Sequence, residues 1–512
     1  MSSSQSPLHY RSATDLVEAL RTGSLTSTEL TQALLRRIRE HNPQVNAVVT
    51  LDEDQALAKA ARADEAFAAG ELTGPLHGLP LTLKDTWEVT GMTCTAGAPV
   101  LKNHRPEKHA DVVQRLERAG AIILGKTNTP LYAADIQTYN KLFGVTRNPF
   151  NLEHTSGGSS GGAAAALAAG MTPLEVGSDL AGSIRIPAHF CGVFGHKPSR
   201  TLVSFRGHVP GPPGTETQPD LAEGGPMART ASDLALLLNV IAGPAEREKT
   251  SWKLAMASAK IESLEQARVG LWFSDPLCPI DQELTDGYQK LAQVLEEKGA
   301  LVSQAKHDLL NLTHLLPAYF NLLGSLLSPS LNSAQRRQMK WIARLEKWLH
   351  LFGPITAHIG EYGRGANQPH YQWLAWNETR EKMRAQITTL FDEFDVLLTP
   401  ITPTAAIQHD HSKPVFKRQI IVGGKPRAYM DQFCWITLAT VLGLPATSVP
   451  IGRTKKGLPF SVQIIGAPGM DLTTIKFGEL LEKHGLAGFE APLCEVSPPP
   501  LPGAPQAMTR SL

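Results

Sequence analysis

The chain has few cysteines: five are scattered over 512 residues, and their number is odd. A disulfide framework needs an even, closely spaced set, so the pattern excludes one and favours a reducing, cytoplasmic compartment. The CxxC and HExxH motifs are also missing, so we expect no zinc or other metal. His409-Asp410-His411 could ligate a metal, but we interpret it as a solvated loop.

Long apolar runs and an excess of one charge are absent as well. No uncharged apolar run reaches the ~18 residues of a membrane span, and the first residues lack the apolar stretch of a signal peptide. Lys and Arg total 49 against 48 for Asp and Glu, so no positive field favours nucleic acid as a partner. With 42% apolar residues, the chain has an ordinary globular composition.

Helix-like and strand-like patterns alternate over much of the sequence. Apolar residues recur at helical spacing between about 13 and 70. Further on, strand and helix candidates follow one another at 81–83, 112–119, 121–125, 163–169 and 174–177. This alternation favours an α/β sheet.

Changes in composition and in the helix and strand patterns divide the chain into five segments. Long helical patterns rich in Leu, Trp and basic residues begin near 300, a strand at 396–398 returns to the core, and prolines accumulate at the end. The segments are an N-terminal helical segment (1–70), a core (71–300), a helical insertion that covers the entrance of the site (301–395), a return to the core (396–490) and a proline-rich tail (491–512).

One apolar stripe within the insertion is ambiguous. Trp341, Leu345, Trp348, Leu349 and Phe352 recur at helical spacing. We favour an ordinary stripe that faces the core. An apolar substrate entrance or a peripheral membrane contact stays open as an alternative.

Two serines stand in glycine-rich backbone: Ser159 within 157–162 and Ser183 within 179–185. Acyl transfer needs a hydroxyl nucleophile and backbone N–H groups aimed at the developing oxyanion, and a second hydroxyl can relay a proton. The candidate N–H donors are those of Leu180, Ala181, Gly182 and Ser183. A flexible linker is the alternative, but apolar helix and strand patterns flank this stretch.

Lys84 ends a short apolar strand pattern and is the candidate base. A free lysine has a pKa of about 10.4, so burial or nearby positive charge must lower it before the amine accepts a proton near neutral pH. A purely structural ion pair between Lys84 and Asp85 is an equal alternative at this point.

Two other glycine motifs are disfavoured. Residues 157–161 fit G-x-S-x-G, but that nucleophile elbow follows a strand, and 147–155 is polar and turn-like. A Walker loop would need a lysine after the glycines, and none follows. We therefore expect no nucleotide and no cofactor.

Taken together, several motifs resemble the amidase signature family. They are Gly157–Gly162, Asp179–Arg185, Cys191–Pro198 and Leu83–Asp85, with further matches at Gly125–Asn128 and Gly225–Arg229. The resemblance spans residues 10 to 485, approximately. It implies an α/β amidase signature fold, with a large, mostly parallel mixed β-sheet flanked by many helices and the signature core in 71–300.

The resemblance also implies a Ser-cisSer-Lys triad that cleaves an amide through an acyl-enzyme. Ser183 would be the nucleophile, Ser159 the proton relay after a cis peptide, and Lys84 the base. The N–H groups of 180–183 would hold the oxyanion. Asp179 and Arg185 would fix the loop that carries the nucleophile, and Ser160 would support the relay. Plain loop stabilisation is the alternative for all three. Residues expected on the acyl side are Tyr132, Ala133 and Ile136, with Ala133 contacting the substrate.

The resemblance leaves the substrate open. Aromatic and aliphatic residues in 301–395 favour a small-molecule apolar, aryl or fatty acyl amide, with esters and carbamates as further candidates. The alternative is an amidotransferase A-type subunit that acts in a complex on glutamine and aminoacyl-tRNA, but the long insertion favours a stand-alone hydrolase. An inactive binding protein is disfavoured because all three triad residues are present. A homodimer stays open.

Overall fold

A computed structural model describes residues 6–209, 213–349, 354–412 and 414–492. Within these residues, eleven strands form one sheet. With three two-stranded ladders beside it, the strands are β1 Val48–Leu51, β2 Pro80–Lys84, β3 Ile122–Thr127, β4 Tyr139–Asn140, β5 Gly144–Val145, β6 Arg147–Asn148, β7 Asn151–Thr155, β8 Leu174–Asp179, β9 Phe194–Lys197, β10 Glu223–Ala228, β11 Arg268–Leu271, β12 Leu301–Gln304, β13 Val396–Thr399, β14 Gln419–Val422, β15 Lys425–Ala428, β16 Ala446–Arg453 and β17 Pro459–Ile465.

Helices flank this sheet. Within the described ranges they are α1 Ala13–Arg21, α2 Ser27–Val45, α3 Glu53–Ala68, α4 Asp111–Arg118, α5 Gly161–Ala168, α6 Arg185–Cys191, α7 Ala231–Ile241, α8 Gln282–Glu297, α9 Leu312–Leu327, α10 Ser333–Leu349, α11 Gly360–Gly365, α12 His370–Ile387, α13 Leu390–Glu393, α14 Thr437–Val441 and α15 Asp471–Lys483. The predicted α/β fold with a large mixed sheet is confirmed.

The strand order is β1-β3-β2-β8-β10-β9-β16-β17-β13-β11-β12. Parallel pairs form two groups, β3-β2-β8 and β13-β11-β12. The strands between these groups pair antiparallel. The sheet therefore contains more antiparallel strand pairs than the prediction of a mostly parallel mixed sheet suggests. Part of the reason is local, because a tight turn at 454–458 joins β16 to β17 and only antiparallel strands accept such a short connection.

The helix α5 lies next to the sheet because its residues are small. All eight residues of α5, GGAAAALA, are buried. A side chain at Gly162 would collide with the backbone of Asn128, so only glycine allows this close approach. Ser159 stands two residues before the first residue of α5. The close packing of α5 therefore also helps to position the predicted relay serine.

The segments predicted as helical each contribute an edge strand to the sheet. β1 lies within 1–70 and pairs with β3, and β12 lies within 301–395 and pairs with β11. Of the proline-rich tail 491–512, all but the first two residues lie outside the described part of the chain.

The core-facing interpretation of the apolar stripe on α10 is wrong. Trp341 and Trp348 are 65% and 64% exposed, and Leu345 is exposed as well. Helical spacing shows which residues share a side of a helix, but it does not show which side the fold covers. The side chain of Leu349 and the whole of Phe352 lie outside the described part of the chain.

Candidate active site

Lys84 is the last residue of β2 and its side chain is fully buried. Strand β2 runs parallel to its neighbours β3 and β8, so the carboxyl ends of all three strands meet at one edge of the sheet. There Lys84 Nζ donates to Ser159 Oγ at 2.7 Å and to Ser178 Oγ at 3.0 Å. The structure thus brings together two of the three predicted triad residues in direct contact.

The alternative ion pair between Lys84 and Asp85 is not formed. The carboxylate of Asp85 accepts from the Thr95 amide at 3.2 Å and lies 3.5 Å from Lys126 Nζ. Successive side chains of an extended backbone point to opposite sides, which separates Lys84 from its sequence neighbour.

Burial changes the protonation of Lys84. Loss of hydration disfavours the ammonium form, and this effect outweighs the opposing attraction of the Asp179 and Glu175 carboxylates, so the pKa of Lys84 falls to about 7. A large share of the molecules therefore carries a neutral amine at neutral pH. A neutral amine has a lone pair and can accept a proton.

The Gly158–Ser159 peptide bond is cis, as the resemblance implies. Thr129 Oγ1 donates to the Ser159 carbonyl at 3.0 Å and holds this backbone from one side. A side chain at Gly158 would come within 2.5 Å of the Asp135 carbonyl oxygen, so the segment 135–137 packs closely against the same backbone.

Ser183 lies in the loop 179–185 between β8 and α6, which we call the nucleophile loop. The Ser160 amide donates to the Ser183 carbonyl at 3.1 Å, so the backbones of the two serine segments are directly bonded. The residue is 8% exposed, so solvent and small molecules retain limited access to it.

The backbone amides of the nucleophile loop fall into two groups. Asp179 Oδ1 accepts from the Gly182 amide at 2.9 Å, and Asp179 Oδ2 accepts from the Ile184 amide at 3.1 Å. The Gly182 donor is therefore already engaged. Within the described part of the chain, the amides of this loop that donate to no protein acceptor are those of Leu180, Ala181 and Ser183.

Arg185 anchors the nucleophile loop to the far half of the sheet. Its guanidinium is fully buried and donates to Asp179 Oδ1 at 2.8 Å. It also donates to Gln463 Oε1 on β17 and to Thr440 Oγ1 on α14, both at 2.7 Å. Burial alone would raise the pKa of Asp179, but the Arg185 charge and hydrogen bonds lower it to about 2.

The sequence reasoning missed Ser178. Its position beside Lys84 depends on the parallel register of β2 and β8, in which Leu83 lies opposite Val176. A polar residue at the carboxyl end of a neighbouring parallel strand was the available signal. The hydroxyl of Ser160, which is predicted to support the relay, contacts the Ser178 backbone, and its Oγ lies 3.4 Å from both the amide and the carbonyl.

Of the residues expected on the acyl side, Ile136 lies in the segment that packs against Gly158, and Tyr132 and Ala133 precede that segment. Tyr132 and Ala133 both adopt positive φ, at 51° and 55°. Tyr132 is 41% exposed, whereas Ile136 is buried. The Tyr132 amide donates to the Ala96 carbonyl at 2.7 Å, and residues 132–133 lead into the segment 135–137.

Two further expectations need correction. The stretch before the glycines is not all turn, because β7 ends two residues before Gly157, but it pairs with β6 outside the main sheet. The 409–411 segment is hydrogen bonded rather than freely solvated, since His409 Nε2 donates to the Leu152 carbonyl at 3.2 Å. Among the described residues, no cluster of three His, Cys, Asp or Glu side chains could hold a metal ion.

Residues 29–475 match the family model described as Amidase. The chain belongs to the amidase signature family. It is 31% identical over 491 residues to the A-type subunit of the glutamyl-tRNA(Gln) amidotransferase of Lachnospira eligens, covering 92% of this chain and 97% of that protein. The corresponding subunit of Roseiflexus sp. is 34% identical, over 93% and 96% of the two chains.

A solved bacterial aryl acylamidase of the amidase signature enzymes is similar in structure. Its TM-score is 0.75 at 28% identity, over 93% of this chain and 97% of that one. The resemblance seen in the sequence is thus confirmed, and the chain is an amidase, an enzyme that acts on amide C–N bonds.

Proposed function

We propose that this amidase cleaves a carboxylic amide C–N bond with Ser183 as nucleophile, Ser159 as proton relay and Lys84 as base. The observation that carries the proposal is the 2.7 Å contact between Lys84 Nζ and Ser159 Oγ in a buried site. The lowered pKa of Lys84, at about 7, supports its role as a proton acceptor near neutral pH.

In the proposed reaction, neutral Lys84 takes the Ser159 proton while Ser159 takes the proton of Ser183. The Ser183 oxygen attacks the amide carbonyl and forms a tetrahedral intermediate. Ser159 then returns a proton to the leaving nitrogen, the C–N bond breaks, and an acyl-Ser183 ester remains. Water attacks this ester by the same proton path and releases the carboxylic acid.

The oxyanion of the intermediate needs backbone donors that are not already used. The amides of Leu180, Ala181 and Ser183 fit this requirement, whereas the Gly182 amide serves Asp179. We therefore assign the oxyanion contacts to these three amides. We assign the acyl side of the substrate to the segment that contains Ala133.

The relatives favour the amidotransferase subunit over the stand-alone hydrolase as the setting of this chemistry. The long helical segment 301–395 was the reason to prefer a stand-alone enzyme. However, the alignments cover 96–97% of the amidotransferase subunits and 92–93% of this chain, so little of the segment is extra. We propose that glutamine is a substrate and that partner subunits receive the ammonia.

The test compares purified wild type with Ser183→Ala and Lys84→Ala on glutamine, acyl anilides, fatty amides and carbamates. We expect turnover of at least one amide, none with Ser183→Ala, and a loss of about 100-fold or more with Lys84→Ala. Normal turnover by either variant would refute the triad. Copurification with partner subunits, together with glutamine as the best substrate, identifies the amidotransferase. Preference for an anilide without partners would restore the stand-alone hydrolase.

A further inference from the structure

Among the described residues, the contacts of helix α10 with the rest of the protein involve one side of the helix. Met339 is buried there, and a side chain at Gly363 of α11 would collide with the Met339 carbonyl. Glu346 faces the same way, since its Oε1 accepts from the Gly360 amide at 3.0 Å and its Oε2 lies 3.2 Å from Arg364. These contacts define an inner face of α10 that is turned toward α11.

The opposite face of α10 is apolar and exposed. Trp341 and Trp348 are 65% and 64% exposed, and Leu345 between them is 37% exposed. The spacings of four and three residues place the three side chains in one row along the helix. Large apolar side chains that share one exposed row indicate an interaction surface rather than scattered surface residues.

Cations border this row on the described part of α10. Arg337, Lys340 and Arg344 are all exposed and lie on the flank of the Trp341–Trp348 row at helical spacing. The helix sequence contains a single acidic residue, Glu346, which points to α11. The outer face of α10 therefore combines two tryptophans and a leucine with positive charge that no acidic residue of the helix offsets.

We infer that this outer face of α10 binds the surface of a bilayer that contains anionic phospholipid. Tryptophan favours the boundary between headgroups and acyl chains, and basic side chains beside an apolar strip attract anionic headgroups. None of the described helices is long and apolar enough to cross a membrane, so α10 lies in the plane of the interface. This inference does not depend on the identity of the amide substrate.

Charge argues against two other occupants. In a symmetric dimer through this face, the row of cations on one copy would approach the same row on its partner, which is repulsive. Nucleic acid would suit the cations, but the whole chain carries a net charge of only +1 and offers no broad positive field.

The test is cosedimentation of the full chain with vesicles of phosphatidylcholine alone or of equal parts phosphatidylcholine and phosphatidylglycerol. We expect at least tenfold tighter binding to the anionic vesicles, weakened by high salt. The double variant Trp341→Ala/Trp348→Ala and the triple variant Arg337→Gln/Lys340→Gln/Arg344→Gln should each lose at least tenfold in binding. Hydrolysis of a small soluble amide should be unchanged in both.

Trp252→Ala is the matched control, because Trp252 is 42% exposed and does not belong to α10. It should bind vesicles like the wild type. Equal binding by the wild type and the double tryptophan variant would overturn the inference. Dimerisation in the absence of lipid that the double tryptophan variant abolishes would overturn it as well. RNA binding that the same variant abolishes, without any vesicle binding, would also overturn it.

Discussion

Ser178 gives the amine of Lys84 a second hydroxyl partner, and this contact sets the direction of the proton transfer. A neutral amine has two N–H bonds and one lone pair. With Ser178 Oγ accepting one N–H at 3.0 Å, the lone pair can face Ser159 Oγ at 2.7 Å. Ser178 is thus a positioning residue for the base in the proposed reaction.

We expect Ser178→Ala to lower activity and to move its pH dependence. The Ser178 hydroxyl accepts from the ammonium form, so its removal should push the pKa of Lys84 further below about 7. The acid limb of the kcat/KM profile should then shift to lower pH, while kcat falls roughly tenfold because the amine is less well oriented. Steady-state kinetics between acid and alkaline pH checks both effects.

Ser156→Ala serves as the control for this variant. Ser156 is another buried serine of the same region, but its hydroxyl donates to the Thr146 carbonyl at 3.4 Å and not to Lys84. Its acid limb should stay at the wild-type position. An unmoved limb in Ser178→Ala would show that Ser178 has no influence on the base.

At the scale of elements, the nucleophile loop depends on the buried pair of Asp179 and Arg185. We expect Asp179→Asn to destabilise the fold by about 3 kcal/mol and to abolish turnover, because Arg185 would keep a buried charge without a counter-charge. Urea unfolding at neutral pH, with the activity of the folded fraction, measures both. Wild-type stability in this variant would contradict the anchoring role.

The same pair predicts a pH dependence of stability. The pKa of Asp179 is about 2 in the folded protein and about 3.9 in an unfolded chain. Its stabilisation is therefore complete above the unfolded pKa and is lost as the pH falls through 2. The difference in unfolding free energy between wild type and Asp179→Asn should accordingly be about 1 kcal/mol smaller at pH 3 than at pH 7.

Local elements with clear periodicity could be predicted from the sequence. The patterns at 112–119 and 163–169 correspond to α4 at Asp111–Arg118 and α5 at Gly161–Ala168. Strand β10, with the sequence EGGPMA, could not be predicted, because it has no alternation and its glycines and proline suggest a turn. The antiparallel hydrogen bonds with β8 hold this segment in a strand conformation that its own sequence does not indicate.

At the scale of the whole molecule, the sheet joins segments that are distant in sequence. Lys84 and Ser159 are 75 residues apart and reach hydrogen-bonding distance only through the β2–β8 pairing and the packing of α5. The motif resemblance identified the triad candidates, but Ser178 and the exposed side of α10 depend on register and packing. A local pattern marks Ser178 as a polar residue after a strand, but it fixes neither the strand register nor the side of α10 that the fold covers.

The most direct measurement is the rate at which a fluorophosphonate modifies Ser183, followed by mass spectrometry as a function of pH. A base with a pKa of about 7 predicts labelling of Ser183 that rises through neutral pH and is about 30-fold slower at pH 5.5 than on the alkaline plateau. Lys84→Ala should lose both the rate and its pH dependence. Labelling at another serine, or a Ser183 rate that Lys84→Ala and pH leave unchanged, would contradict the Lys84–Ser159–Ser183 relay.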